Sequence, residues 1–180
     1  MPKQSDQVII DQRLNEIREY TTRSLHFIEA KNASFLAFCS VVIAAILATN
    51  VGECMIMKLF LYASLVPLLV CSTILAYSFF PLNKPTQAKI KKSKKDRETD
   101  NTHLFSAENI SQMGKEKLES HILEGFTEYN FDKYENQKVI SVLRDAHAAA
   151  RKYRSFRNAS KWLVAFGVIF LGYVVLRIIN

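Results

Sequence analysis

Glycine, proline and cysteine are scarce in this sequence, and long stretches of it carry no charge. The 180 residues include 5 glycines, 4 prolines and 3 cysteines. The cysteines, at positions 39, 54 and 71, fit neither the spacing of a metal site nor a disulfide framework. No nucleophile is paired with a base and no metal-ligand set is evident in the sequence. We therefore expect no cofactor, and a membrane enzyme ranks last among the candidate functions.

Two apolar stretches dominate the first half of the chain. Asn32–Gly52 contains 21 residues and Leu59–Asn83 contains 25, and neither stretch holds a charged side chain. At ~1.5 Å rise per residue, each can cross a hydrocarbon core of roughly 30 Å. A buried helical pair in a soluble protein is the alternative, but such helices normally carry a polar stripe. The pattern predicts a transmembrane hairpin at 32–83, with spans at about 32–52 and 59–80.

The first 31 residues predict an amphipathic helix. No glycine or proline interrupts Ser5–Asn50, so this helix is expected to continue into the first span as one rod. Its polar face mixes both charge signs, which favours packing against another helix over lying flat on lipid. Its packing face is predicted from residues spaced three and four apart, namely Ile10, Leu14, Ile17, Thr21, Leu25 and Ile28.

A third transmembrane helix is predicted at 162–180. Trp162–Leu176 is an uncharged run of 15 residues, roughly 22 Å at the helical rise. It can span if Lys161 and Arg177 extend their charged ends outward or the bilayer thins locally. The helix is expected to begin at about Phe131 and to pack its cytoplasmic part against the N-terminal helix. Its predicted packing face consists of Val139, Leu143, Ala146, Ala150 and Tyr153.

Charge distribution predicts the orientation. Lys84–Arg97 carries seven positive residues, whereas the connection between the first two spans holds only Glu53 and Lys58. Positive residues mark the cytoplasmic side, so residues 1–31 and 84–161 are predicted to be cytoplasmic and the C-terminus to lie outside. No aromatic residues interleave with these lysines to stack on bases, so we expect no nucleic-acid partner.

The predicted cytoplasmic portion, 84–161, begins with this basic linker and continues as helices. A short helix or turn is expected at 106–114, and a longer helix from Lys115 to about Asn130. With the hairpin at 32–83 and the third span, the fold class is an all-α membrane protein, with the lipid bilayer as its first partner.

The basic residues before the third span are the candidate ligand site. Arginine binds phosphate through two parallel hydrogen bonds, so these side chains could hold an anionic ligand. The same charges are also what the positive-inside rule requires beside a span, and this alternative stays open. The candidate ligand-binding residues are Arg144, Arg151, Lys152 and Arg154.

Three segments carry a resemblance to a known family. They are IEAKNASFLAF (28–38), ARKYRSFRNA (150–159) and NTHLFSAENIS (101–111), the last standing where the family has an Asn-Leu-Phe-Phe-Gly-like segment but without its glycine. Together with the order of spans, they resemble the transmembrane effectors of bacterial Pycsar anti-phage defence. The resemblance implies binding of a cyclic nucleotide monophosphate, cUMP or cCMP, assembly into a homo-oligomer, and loss of inner-membrane integrity with growth arrest or death of the infected cell.

A different class of function also fits the sequence. The segment 104–135 is rich in acids and could recruit a cytoplasmic partner, making the protein a constitutive membrane scaffold or adaptor. Binding of a cyclic nucleotide distinguishes the two hypotheses.

Overall fold

The computed structural model describes residues 4–49, 55–80, 107–113, 115–126 and 131–179. These ranges contain no strand and form five helices: α1 (Gln4–Ala48), α2 (Met55–Phe79), α3 (Ala107–Gln112), α4 (Lys115–Ile122) and α5 (Lys133–Ile179). The all-α class predicted from the sequence is confirmed. The basic run Lys84–Arg97 and the connection between the first two spans at 50–54 lie outside the described residues.

Two long helices run without interruption from polar into apolar sequence. Helix α1 has 45 residues and α5 has 47, as expected from the scarcity of helix-breaking residues in both segments. Pro67 lies inside α2, which continues through it as one helix. By length and composition, α1, α2 and α5 can each cross a membrane, which confirms three candidate spans.

Buried positions in the long helices recur with a period close to 3.5 residues. Ala159, Phe166 and Tyr173 of α5 are each seven residues apart and all buried. This heptad pattern is typical of helices that cross at about 20° with interlocking side chains. In α2 the buried seam alternates intervals of three and four, through Leu61, Ser64, Leu68, Cys71, Leu75 and Ser78.

The chain divides into two compact units. The first comprises 1–27 and 82–150, and the second comprises 28–81 and 151–180. In the first unit, one core joins α1, α3, α4 and α5, so the predicted packing of the N-terminal helix against the last helix is confirmed there. The buried members of this core are Ile10, Leu14, Ile17, Ile110, Leu118, Ile122, Val139, Val142 and Ala146.

Two details of the first unit and of α5 differ from expectation. Helix α4 ends at Ile122 instead of continuing to about residue 130, because the chain turns at Gly125, whose φ of 97° is readily adopted only by glycine. Tyr153 was predicted on the packing face of α5 but is 50% exposed. The buried positions of α5 nearest to it are Ala149, Ala150 and Lys152, so Lys152 is buried there in place of Tyr153.

The second unit consists of the apolar parts of α1, α2 and α5. Cys39 and Cys71 are buried free thiols whose Sγ atoms lie 3.7 Å apart, one on α1 and one on α2. A Cβ at Gly172 would lie 3.2 Å from Cε1 of Phe60, so glycine allows α5 to approach α2 closely. Apolar side chains such as Val41, Val66 and Val168 remain exposed on the outside, as expected for helices surrounded by lipid.

Candidate ligand cavity and basic residues

The first unit contains a cavity of about 670 Å³ bordered by α1, α3 and α4. This volume lies within the roughly 300–1,000 Å³ of small-molecule sites. The apolar part of its wall consists of Ile17, Ile110, Met113, Leu118 and Ile122. The polar part consists of Arg13, Glu16, Tyr20, His121 and Glu124. A wall that combines apolar side chains with polar groups is the usual composition of a ligand site.

Arg13 fixes one wall of the cavity. Its Nη1 donates hydrogen bonds to the carbonyl oxygens of Ile122 and Glu124, each at 3.1 Å. The guanidinium carbon lies 5.4 Å from the ring centroid of Phe126, within the range of a cation–π contact. Ile122 and Glu124 mark the end of α4, where carbonyl groups lack intrahelical partners and attract cations. Arg13 therefore holds the end of α4 against α1, with its remaining N–H groups still available as donors.

The cavity wall also carries two carboxylates. Glu16 accepts a hydrogen bond from Nε2 of Gln12 at 3.1 Å, and Oε2 of Glu124 lies 3.4 Å from Nδ1 of His121. A carboxylate has about four acceptor positions, so each can accept further hydrogen bonds from a ligand. Arg13 can pair with one negative charge of a ligand, and the two carboxylates can accept hydrogen bonds from several of its donor groups.

The four residues predicted from the sequence as a ligand site differ in environment. Arg144 belongs to the first unit and is exposed. In the second unit, Arg151 is half-buried and Arg154 is exposed. Neither these two nor Arg144 has a hydrogen bond or ion pair with another described residue. Their guanidinium groups are thus accessible to an anion, whether a ligand or a lipid headgroup.

Lys152 differs from these arginines because it is buried and paired. The residue is 8% exposed, and its Nζ contacts Oε1 of Glu29 on α1. Nζ also lies 5.6 Å from the ring centroid of Phe79 on α2. Lys152 therefore ties α5 to α1 and α2, and most of its charge is already compensated by Glu29.

Further polar contacts within the second unit lie near this ion pair in sequence. Nδ2 of Asn32 donates to Oγ of Ser78 at 3.1 Å, and both residues are buried. Oδ1 of Asn32 is buried without a donor. Nζ of Lys31 lies 4.7 Å from the ring centroid of Phe156. Polar contacts thus join α1 to both other helices where its sequence changes from charged to apolar.

The sequence interpretation missed the cavity and the residues that shape it. Arg13, Glu16 and Tyr20 are separated by intervals of three and four on α1, a signal that was present in the sequence. Their convergence on His121 and Glu124, over one hundred positions later, had no local signal. No group of His, Cys, Asp or Glu that could hold a metal ion occurs among the described residues.

The fold and these polar contacts define an all-α membrane protein with a ligand-sized cavity in its first unit. A family model described as the Pycsar effector protein domain matches residues 13–179. The chain belongs to this family, as the resemblance in the sequence had indicated. No curated protein and no solved structure matches the chain.

Proposed function

We propose that this protein is a non-enzymatic membrane effector of bacterial anti-phage defence. It senses a cyclic nucleotide monophosphate, cUMP or cCMP, and on binding it impairs the integrity of the inner membrane, so that the infected cell stops growing or dies. Membership of the Pycsar effector family carries the proposal. The cavity in the first unit supports it, because a sensor needs a ligand site outside the lipid-embedded segments.

Helix α1 offers a connection between sensing and membrane damage. Its N-terminal part carries Arg13, Glu16 and Tyr20 of the cavity wall, and its C-terminal part forms one of the candidate spans. A ligand shifts the equilibrium between a quiescent and a damaging state only if it binds one of them more tightly. When this helix moves between the two states, the shape of the cavity that it borders changes. The ligand then binds one state more tightly than the other.

The damaging state is proposed to be a homo-oligomer. The outward faces of the candidate spans carry exposed apolar side chains, including Val41, Val164 and Leu171, which can contact either lipid or a second copy of the chain. No nucleic acid takes part. The ligand acts by changing which of these contacts the spans make.

The proposed topology places the N-terminus and residues 84–161 in the cytoplasm and the C-terminus outside. Its support is the charge difference between Lys84–Arg97 and the connection around Cys54. A membrane-impermeant maleimide applied to intact spheroplasts should label Cys54 but not a cysteine introduced at Lys92. Strong labelling at position 92 with none at Cys54 contradicts this topology.

The sensing step is tested by a binding screen. Purified full-length protein in detergent is titrated with cUMP, cCMP, the corresponding linear monophosphates and cyclic dinucleotides in a calorimeter. We expect saturable binding of a cyclic pyrimidine monophosphate and no comparable binding of its linear form. If no cyclic nucleotide binds, the effector proposal is wrong, and recruitment of a partner through 104–135 becomes the favoured function.

A further inference from the structure

We infer that the cavity between α1, α3 and α4 is the nucleotide site, and that it favours cCMP over cUMP. This inference rests on the proposed function and specifies where the ligand binds and which base is preferred. The arginines Arg144, Arg151 and Arg154 are the competing location. They lie exposed or half-buried on a single helix, whereas the half-open cavity of about 670 Å³ is bordered by three helices and can bury part of a base.

The charge of the cavity wall limits the number of phosphates that a bound nucleotide can carry. Among the described wall residues, Arg13 is the one arginine or lysine, and Glu16 and Glu124 border the same cavity. A ligand with one negative charge can pair with Arg13, while a second phosphate would find no second cation among the described wall residues. These residues therefore suit a cyclic mononucleotide better than a cyclic dinucleotide. Nη1 of Arg13 is occupied by the end of α4, so Nη2 and Nε supply the phosphate contact.

The apolar wall suits the planar base. Ile110 and Leu118 are buried at the cavity wall, and the exposed ring of Tyr20 borders the same space. A pyrimidine placed there contacts apolar side chains on one side and can stack on an aromatic ring on the other. Stacking of a base on an aromatic side chain strengthens binding in single-strand binding proteins whichever base is present.

The two carboxylates distinguish cytosine from uracil. An ionised carboxylate only accepts hydrogen bonds, and cytosine presents an amino group at C4 where uracil presents a carbonyl oxygen. Carboxylates accept hydrogen bonds from the cytosine amino group in nucleic-acid recognition. The uracil carbonyl would instead place an acceptor against an acceptor. Glu16 is assigned to the cytosine amino group, and Glu124, which lies beside His121, is left to accept from the ribose 2′-hydroxyl.

The test is a titration of the full-length protein with cCMP and with cUMP, for the wild type and for three single variants. Glu16→Gln and Tyr20→Ala change exposed residues at the cavity, and Glu19→Gln is the matched control on α1, since Glu19 pairs with Arg23 instead. We expect the wild type to bind cCMP about tenfold or more tightly than cUMP, the value of one charge-assisted hydrogen bond. Glu16→Gln should reduce this preference, Tyr20→Ala should weaken both nucleotides by about tenfold, and Glu19→Gln should match the wild type.

Any other result contradicts the inference, and the results differ in whether they also contradict the proposed function. If the wild type binds cyclic mononucleotides and the two cavity variants bind them equally well, the site lies elsewhere and the proposed function stands. Loss of binding in a double Arg151→Gln, Arg154→Gln variant would then place the ligand at those arginines. A wild type that prefers cUMP contradicts the assignment of the base. A wild type that binds no cyclic mononucleotide overturns this inference and the proposed function together.

Discussion

In both units a lysine of α5 is paired with an acid of α1, but the two pairs have different surroundings. In the first unit, Nζ of Lys138 donates to Oδ1 of Asp11 at 2.5 Å and to Oδ1 of Asn15 at 3.3 Å. In the second unit, Lys152 contacts Glu29 and lies over the ring of Phe79. In the first case Asn15 can still accept a hydrogen bond from the lysine if Asp11 is lost, although both lysine side chains are equally buried, at 10% exposure. The second lysine adjoins an apolar span, where an unpaired charge has no such substitute.

Buried neutral polar groups show the same contrast. Oγ of Thr21, in the first unit, donates to the carbonyl of Ile17 at 2.7 Å within its own helix. Asn32, in the second unit, depends on Ser78 of another helix and leaves Oδ1 without a donor. In these two cases the first unit satisfies a buried polar group within its own helix, whereas the second uses one to join two helices and leaves an acceptor without a donor among the described residues.

The largest expected effect compares one buried leucine from each core. Leu14→Ala in the first unit should destabilise by about 2–5 kcal/mol, because it removes apolar contact and leaves a cavity in the core of the unit that is proposed to lie in water. Leu68→Ala in the second unit should cost less, since lipid is as apolar as the helix interface and only packing is lost. Thermal unfolding in detergent measures both. A larger loss for Leu68→Ala would contradict the assignment of the two environments.

Removal of one partner of the second ion pair should have the next largest effect. Glu29→Gln leaves the buried Lys152 charge less compensated, and we expect a loss of about 2 kcal/mol. That is below the about 3–5 kcal/mol of fully buried pairs because the Glu29 side chain is 36% exposed. Replacing both partners, Glu29→Gln with Lys152→Met, should recover most of the loss.

The control for this pair is Glu19→Gln, because Glu19 and Arg23 form a fully accessible pair on the same helix. Exposed pairs contribute about 0–1 kcal/mol, so the control should unfold near the wild-type temperature. A Glu29→Gln variant as stable as this control would show that the Lys152 contact is unimportant for stability.

The first ion pair gives a pH-dependent effect. The hydrogen bond to Asp11 raises the pKa of Lys138 above its ordinary value, against a smaller opposing effect of burial. The stabilisation is therefore fully present below the unfolded-state value of about 10.4 and is lost as the pH rises through the folded-state pKa. The stability difference between wild type and Lys138→Gln should stay constant up to about pH 9 and shrink above about pH 10.4. Lys133→Gln, at the exposed first turn of α5, serves as the control.

The smallest expected effect concerns Asn32. Replacing Asn32 and Ser78 together by Leu and Ala removes both partners of their hydrogen bond and also the unsatisfied Oδ1. Such paired replacements are nearly neutral or slightly stabilising. Ser78→Ala alone leaves the buried amide N–H of Asn32 without an acceptor, which should reduce stability by about 1–3 kcal/mol. Equal destabilisation by the single and the double variant would contradict this.

The long helices could be predicted from the sequence because their signals are local. Helices α1 and α2 are predicted with few assumptions. Helix-breaking residues are scarce there, and the uncharged stretches are long enough to cross a bilayer as helices. The packing stripe of α1 was also correct at Ile10, Leu14, Ile17, Thr21 and Ile28, since its spacing repeats over many turns, while Leu25 is only half-buried. Tyr153 was misplaced because helical spacing alone does not decide which of two adjacent positions faces the neighbouring helix.

The candidate site could not be predicted in the same way. Charged residues before a span are readily proposed as a ligand site because they are adjacent in sequence. The structure shows that one of them, Lys152, is paired with Glu29. The cavity depends on α4 ending at Ile122 and on Arg13 reaching its last carbonyl groups. These contacts join positions more than one hundred residues apart, and no periodic pattern reports them.

The measurement that tests the central claim most directly is ligand-dependent leakage from vesicles that contain only the purified protein. Vesicles of bacterial phospholipid are loaded with a self-quenched dye and exposed to cCMP, cUMP or the linear monophosphates. We predict dye release with a cyclic pyrimidine monophosphate, reduced by Glu16→Gln, and no release with the linear forms. Equal leakage with and without the cyclic nucleotide, or none at any saturating concentration, would contradict a ligand-gated membrane effector.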